Sequence, residues 1–300
     1  MKTSKTSKTS RIILIVCCSA LVSLTVFCWQ AARLSPSIPY SESYLSQIIP
    51  SVTSSPIKAA SVSARMTPIA SIDATLRIPI ITYHYVEYVQ NPNDAMRHKL
   101  AINPALFEQQ VKALHDHNVE TYFVKEIPRL LNQENELATR SAVLTFDDGY
   151  RDFYINAFPI LKKYKTKGTI YIISNFLDRY DFLTRDEVAE MLKSGLIEVG
   201  SHTLDHAYLK NGQYEYVKRQ ILESKSDLEK LFGIQVETFA YPFGAYDDQS
   251  VNLVKEASYS AAVSTVPGVL HSSKQLFTLT RWRAGALNGI YSVDSLDHLR

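Results

Sequence analysis

Residues 141–150 read Ser141-Ala142-Val143-Leu144-Thr145-Phe146-Asp147-Asp148-Gly149-Tyr150. The first six form a short run of low polarity, the pattern of a buried strand. The strand runs straight into two adjacent carboxylates and a glycine. Such a pair is costly at a buried strand end unless a proton or a cation compensates it. Capping a helix that starts near Arg151 needs only one acid, so a helix cap and a functional centre both fit these residues.

Outward from this stretch, apolar runs alternate with helical patterns. Strands are expected at Ile78–His84, Thr169–Ile173, Leu196–Gly200, Glu237–Tyr241, Ala261–Ser264 and Phe277–Arg281. Asn103-Pro104 opens a helix with Leu106, Val111 and Leu114 on its apolar face. Further helices are expected at Arg151–Tyr164, from Thr184 to Gly195, at Tyr214–Phe232 and at Asp247–Ala257. This alternation implies βα units and a parallel sheet. No glycine-rich phosphate loop follows any strand, which disfavours a nucleotide-binding arrangement. A barrel of βα units fits the strand count better, and its chemistry collects where strands end.

The strand ends carry reactive side chains. After Leu196–Gly200 comes Ser201-His202-Thr203-Leu204-Asp205-His206. Histidines four apart face one point if the segment turns helically, and two imidazoles plus a carboxylate leave open positions on a zinc-like ion. His-x-x-x-His alone also occurs by chance on surfaces. Tyr241-Pro242-Phe243-Gly244 ends another strand in a tight turn able to aim a backbone N–H. Ile80-Ile81-Thr82-Tyr83-His84 ends in a histidine that fits a core role or a catalytic one.

The N-terminal quarter reads differently. Lys2, Lys5, Lys8 and Arg11 precede an uncharged run, Ile12–Cys28, that holds all three cysteines. The run is about 25 Å long as a helix, and Trp29 to Ala32 extend it towards a bilayer span. An uncleaved anchor is favoured over a cleaved signal peptide, because the run is long and Gln30-Ala31-Ala32 is a poor cleavage site. Residues 30–74 hold eleven serines and five prolines, the composition of an extended tether. The expected organisation is an anchor or signal over 1–32, a linker over 33–76 and a catalytic domain over 77–300. The catalytic part is then outside the cytoplasmic membrane, or secreted after cleavage. Net charge is +2, and the four leader cations leave −2 for the remainder, which gives no case for nucleic acid. Without cysteine beyond Cys28, a disulfide-stapled fold is excluded.

Thr-Phe-Asp-Asp-Gly, His-Thr-x-x-His and Tyr-Pro-Phe-Gly, in this order, resemble the polysaccharide deacetylases with a NodB-type domain, carbohydrate esterase family 4. The resemblance spans about Ile78 to Arg283. The Ile-Thr-Tyr-His strand before the Asp-Asp motif resembles the branch that deacetylates poly-N-acetylglucosamine. The resemblance implies a distorted (β/α)7 barrel and a divalent metal, zinc by preference, bound by Asp148, His202 and His206. It implies Asp147 as general base, the Phe243 N–H as oxyanion donor, and an N-acetylated polysaccharide as substrate. Two departures stand out. The family's Leu-x-His near the C-terminus has no clear counterpart; His84 is the preferred general acid, with His271 in Val269-Leu270-His271 as the alternative. Ala240 occupies the place of the arginine that orients the base, and Arg281 is a candidate substitute, equally readable as a surface cation. Tyr83, Tyr85, Tyr150 and Trp282 are candidates for sugar stacking by position. An esterase acting on O-acetylated xylan and an inactive glycan-binding module are the alternative functions.

Overall fold

The computed structural model describes residues 74–132, 138 and 140–284. The expected anchor and most of the expected linker lie outside these residues. Among the described residues no helix is long and apolar enough to cross a membrane.

The described residues form twelve strands: β1 (Thr75–Arg77), β2 (Ile80–Tyr83), β3 (Tyr85–Val86), β4 (Ala101–Ile102), β5 (Glu120–Tyr122), β6 (Ser141–Phe146), β7 (Gly168–Ile172), β8 (Ile197–Ser201), β9 (Thr238–Ala240), β10 (Ala261–Val263), β11 (Leu270–Ser272) and β12 (Trp282–Arg283). The α-helices are α1 (Ala95–Leu100), α2 (Pro104–Asp116), α3 (Ile127–Asn132), α4 (Phe158–Tyr164), α5 (Arg185–Lys193), α6 (Tyr214–Phe232) and α7 (Asp248–Glu256). One sheet runs in the order β10-β9-β8-β7-β6-β2-β12, with β5 also on β6, and every pairing in it is parallel. The curled parallel sheet fits a (β/α) barrel.

Residues 276–284 connect the two edges of this sheet. Leu279 exchanges backbone hydrogen bonds with β10, its N–H donating to Ala262 and its carbonyl accepting from Ser264. Five residues on, the N–H of Ala284 donates to Thr82 of β2. The expected strand at Phe277–Arg281 is thus one bridge at Leu279 followed by β12.

Alternation along the strands splits the core in two. Ile80, Val143, Tyr171, Ala240, Ala261, Val263 and Leu279 pack together in one cluster. Their neighbours Ile81, Leu144, Phe146, Ile170, Ile172, Val199 and Phe239 pack with the apolar faces of α2, α5, α6 and α7 in the other. That is the period-two division of a sheet with one face inside a barrel and the other under helices. Gly200 sits where a Cβ would come within 2.4 Å of the Tyr171 ring, so a side chain there would displace a buried tyrosine of the inner cluster.

Two local expectations change. The helix expected over Arg151–Tyr164 begins as a π turn, Phe153–Ala157, and becomes α4 only afterwards. Pro159 explains the break, because it lacks an N–H and crowds the carbonyl four residues back. Thr75 and Leu76, assigned to the linker from sequence, form β1 against β11, with Leu76 buried.

Candidate active site

The ends of β2, β6, β8 and β9 converge on a cleft of about 390 Å³, lined by His84, Asp147, Asp148, His202, His206 and Phe243 among others. Register explains the convergence. Tyr83 pairs with Phe146 and Ile172 with Ser201, so the residue after each strand reaches the same rim.

Asp148 follows β6 with φ +74°, a conformation that Asp tolerates better than most residues. Its Oδ1 lies 3.2 Å from His202 Nε2 and 3.3 Å from His206 Nε2. The segment carrying the histidines is a turn rather than the expected helical one, with Thr203 and His206 at positive φ. A fully buried glutamine on α6 holds this turn: Gln220 Oε1 accepts from the N–H groups of Leu204 and Asp205, both at 3.1 Å. Gln220 was not among the expected site residues, although a polar side chain in the apolar stripe Val217, Ile221, Leu228 is a visible signal.

The donor set suits a metal ion. His202 Nδ1 donates to the Ala240 carbonyl at 2.8 Å, which leaves Nε2 with a lone pair facing Asp148. Asp148 Oδ1 is buried and has no hydrogen-bond partner among the described residues. An oxygen buried against two imidazole nitrogens without a shared proton is satisfied by a cation. The three ligand atoms lie within 4.8 Å of one another.

Asp147 has a different partner. Arg281 Nη1 and Nη2 each donate to one of its oxygens at 2.7 Å, and both residues are buried. The guanidinium is itself held by donation from Nε to the Ser264 carbonyl and from Nη1 to Thr145 Oγ1. Arg281 is therefore no surface cation; it arrives from the segment that connects the sheet edges. Burial alone would raise the Asp147 carboxyl, and the forked guanidinium brings it below its ordinary value.

His84 Nε2 lies 3.9 Å from Asp147 Oδ2. Burial, together with the charges of Arg281 and Arg283, lowers its pKa despite the carboxylates of Asp147 and Asp148, which raise it. His271, the alternative acid, is outside the cleft. It sits on β11 opposite Leu76, and its Nε2 is 2.9 Å from the Ile78 carbonyl. Phe243 has φ +59° and its ring is largely exposed beside His206. The N–H groups of Gly244 and Ala245 donate to the carbonyls of Tyr241 and Pro242; among the described residues no backbone carbonyl accepts from that of Phe243.

Among the expected stacking residues, Tyr85 and Tyr150 line the cleft with rings 4.1 Å apart. Tyr83 does not, being buried with its hydroxyl donating to Gln110, and Trp282 is half-buried outside the lining.

A family profile described as polysaccharide deacetylase matches residues 134–262. YxkH of Bacillus subtilis (strain 168), which carries the same family name, is 30% identical over 207 residues, or 69% of this chain and 71% of that protein. The chain belongs to the polysaccharide deacetylase family. The poly-β-1,6-N-acetyl-D-glucosamine N-deacetylase of Staphylococcus aureus (strain MSSA476) is 31% identical over 170 residues, which cover 52% of this deacetylase and 58% of the staphylococcal protein. The solved structure of the Streptococcus pyogenes deacetylase PplD in complex with acetate matches with a TM-score of 0.68 and 31% identity, over 75% of this chain and 98% of that one. As a family member, the deacetylase is a hydrolase of acetylated polysaccharide.

Proposed function

We propose that this chain hydrolyses N-acetyl groups of N-acetylglucosamine-containing polysaccharide, using a divalent metal, zinc by preference, held by Asp148, His202 and His206. The observation that carries the reading is the orphaned Asp148 oxygen facing two imidazoles, beside a second carboxylate gripped by arginine. The similarity to the staphylococcal N-deacetylase supports the choice of sugar. On this reading the fold is the distorted (β/α)7 barrel, and the basic leader and apolar run place the domain outside the cytoplasmic membrane, tethered or released.

When bound, the ion would polarise the acyl oxygen and make a water molecule more acidic. The protein's own groups then divide the work. Asp147 accepts a proton from the water whose oxygen bonds to the acyl carbon. Arg281 occupies one lone pair of each Asp147 oxygen, and the second remains for this proton. The N–H of Phe243 donates to the oxygen that gains charge. As the C–N bond breaks, His84 protonates the departing nitrogen, releasing acetate and a free amine. A proton on Asp147 is near enough to His84 to recharge it through a small movement. The fixed, charge-balanced Asp147 argues against an inactive binding module.

The test is acetate release from β-1,4- and β-1,6-linked N-acetylglucosamine oligomers and from acetylxylan, with metal content measured on the same samples. Asp147→Asn is expected to bind metal and lose turnover. Full activity in that variant overturns the role of the base, and turnover on acetylxylan alone overturns the choice of bond.

A further inference from the structure

Phe243 lines the cleft beside His206, and next to it stands a second exposed aromatic ring, Tyr208. Phe243 is 63% exposed and Tyr208 57% exposed, with centroids 6.2 Å apart and planes 39° from each other. The Phe243 ring is in turn 4.4 Å from that of His206, so the pair adjoins the reaction centre through Phe243. Neither is loosely held. Tyr208 stands between Ala207 and Leu209, both buried, and the Ala207 N–H donates to Thr203 Oγ1 at 3.0 Å. Phe243 keeps a bulky side chain at positive φ, where a glycine would be less strained. Adjacent apolar rings in water, rigidly presented at a cleft edge, mark a binding surface.

A pyranose ring offers one face of C–H groups, which packs on an aromatic plane while its hydroxyls stay in water. We infer that Tyr208, with Phe243, forms a stacking subsite for the sugar next to the one that is deacetylated, on the metal-histidine side of the cleft. The inference rests on the proposed glycan N-deacetylase reading and deepens it: the enzyme reads oligomers rather than single sugars. Tyr208 acts as a specificity-determining residue, since it touches no reacting atom.

The experiment is steady-state kinetics of acetate release on N-acetylglucosamine oligomers of one to six units, for wild type, Tyr208→Ala and Tyr208→Phe. The alanine variant is expected to raise KM on the hexamer about five- to tenfold, with a smaller rise on the monosaccharide. Phenylalanine keeps the ring and is expected to restore the hexamer KM. Equal KM values for all three proteins at every length overturn the subsite. A defect of the same size on monosaccharide and hexamer also overturns it, because that is general damage to the site. A wild type that releases acetate from 4-nitrophenyl acetate but from no oligomer instead overturns the parent reading.

Discussion

Replacing Arg281 with methionine isolates the cation that balances Asp147. Arginine and aspartate are 2% and 3% exposed, and two hydrogen bonds of 2.7 Å join them. Removing one partner of such a buried pair costs about 3–5 kcal/mol, because the remaining charge is left uncompensated. For a domain of this size about 2–4 °C of Tm accompany each kcal/mol, so Tm is expected to fall by roughly 6–20 °C. The loss depends on pH. In the wild type the Asp147 pKa is depressed, so its contribution is present above the ordinary carboxylate value near 3.8 and fades as pH falls below it. Without Arg281 burial is the largest remaining influence, opposed only by the charge of His84 and His202, so the carboxyl is expected to rise and the variant to lose stability as pH rises. The Tm gap between the two proteins is therefore widest at neutral pH and narrows towards pH 4. The double variant Arg281→Met, Asp147→Asn, which carries no buried charge here, is expected to recover part of the loss. Thermal melts at several pH values measure all three. A gap independent of pH, together with a double variant no more stable than Arg281→Met, refutes the reasoning.

Glu198 gives a second test. Burial pushes its carboxyl up to about 7, although Thr169 and Thr238 donate to it at 2.7 and 2.8 Å. With the folded pKa above the unfolded one, stability is lost as pH rises from about 4.5 to 7; Glu198→Gln is expected to gain up to about 3 kcal/mol on wild type at pH 8 and little at pH 4 in denaturant titrations. Gln220→Leu leaves the N–H groups of Leu204 and Asp205 without their acceptor, costing about 1–3 kcal/mol, and metal affinity measured by competition with a chelator is expected to fall about tenfold or more. Gly244→Ala adds a Cβ at φ +67° that would lie 1.9 Å from Thr265 Oγ1, so a loss of about 2–4 kcal/mol in a melt is expected, with reduced turnover because the turn carries Phe243.

The long elements were legible because their signals are local. The Tyr214–Phe232 helix and the Ser141–Phe146 strand coincide with their expected bounds, and Asn103 and Thr184 cap α2 and α5 as expected. The strands β1, β3, β4 and β11 have two or three residues each, too few for a period, and exist only through their partners. The Asp148, His202 and His206 cluster was legible because each of the three follows an expected strand within six residues. Arg281 was ambiguous because a cation near the end of a chain reads the same on a surface or in a core. Only the pairing of residues 276–284 with both sheet edges places it beside Asp147. The His271 ambiguity has the same origin: Leu270-His271 mimics a motif, and its pairing with β1 decides its place.

The segment that joins β10 to β2 is the last described stretch of the chain, and it carries the guanidinium that Asp147 depends on. Latch and counter-ion are one piece. With residues 276–284 undocked, the sheet is open and the paired carboxylates stand at the cleft without arginine, so their burial is opposed until that segment pairs. One segment thus both closes the sheet and supplies the guanidinium, and a molecule with an open seam is also one whose Asp147 is unbalanced.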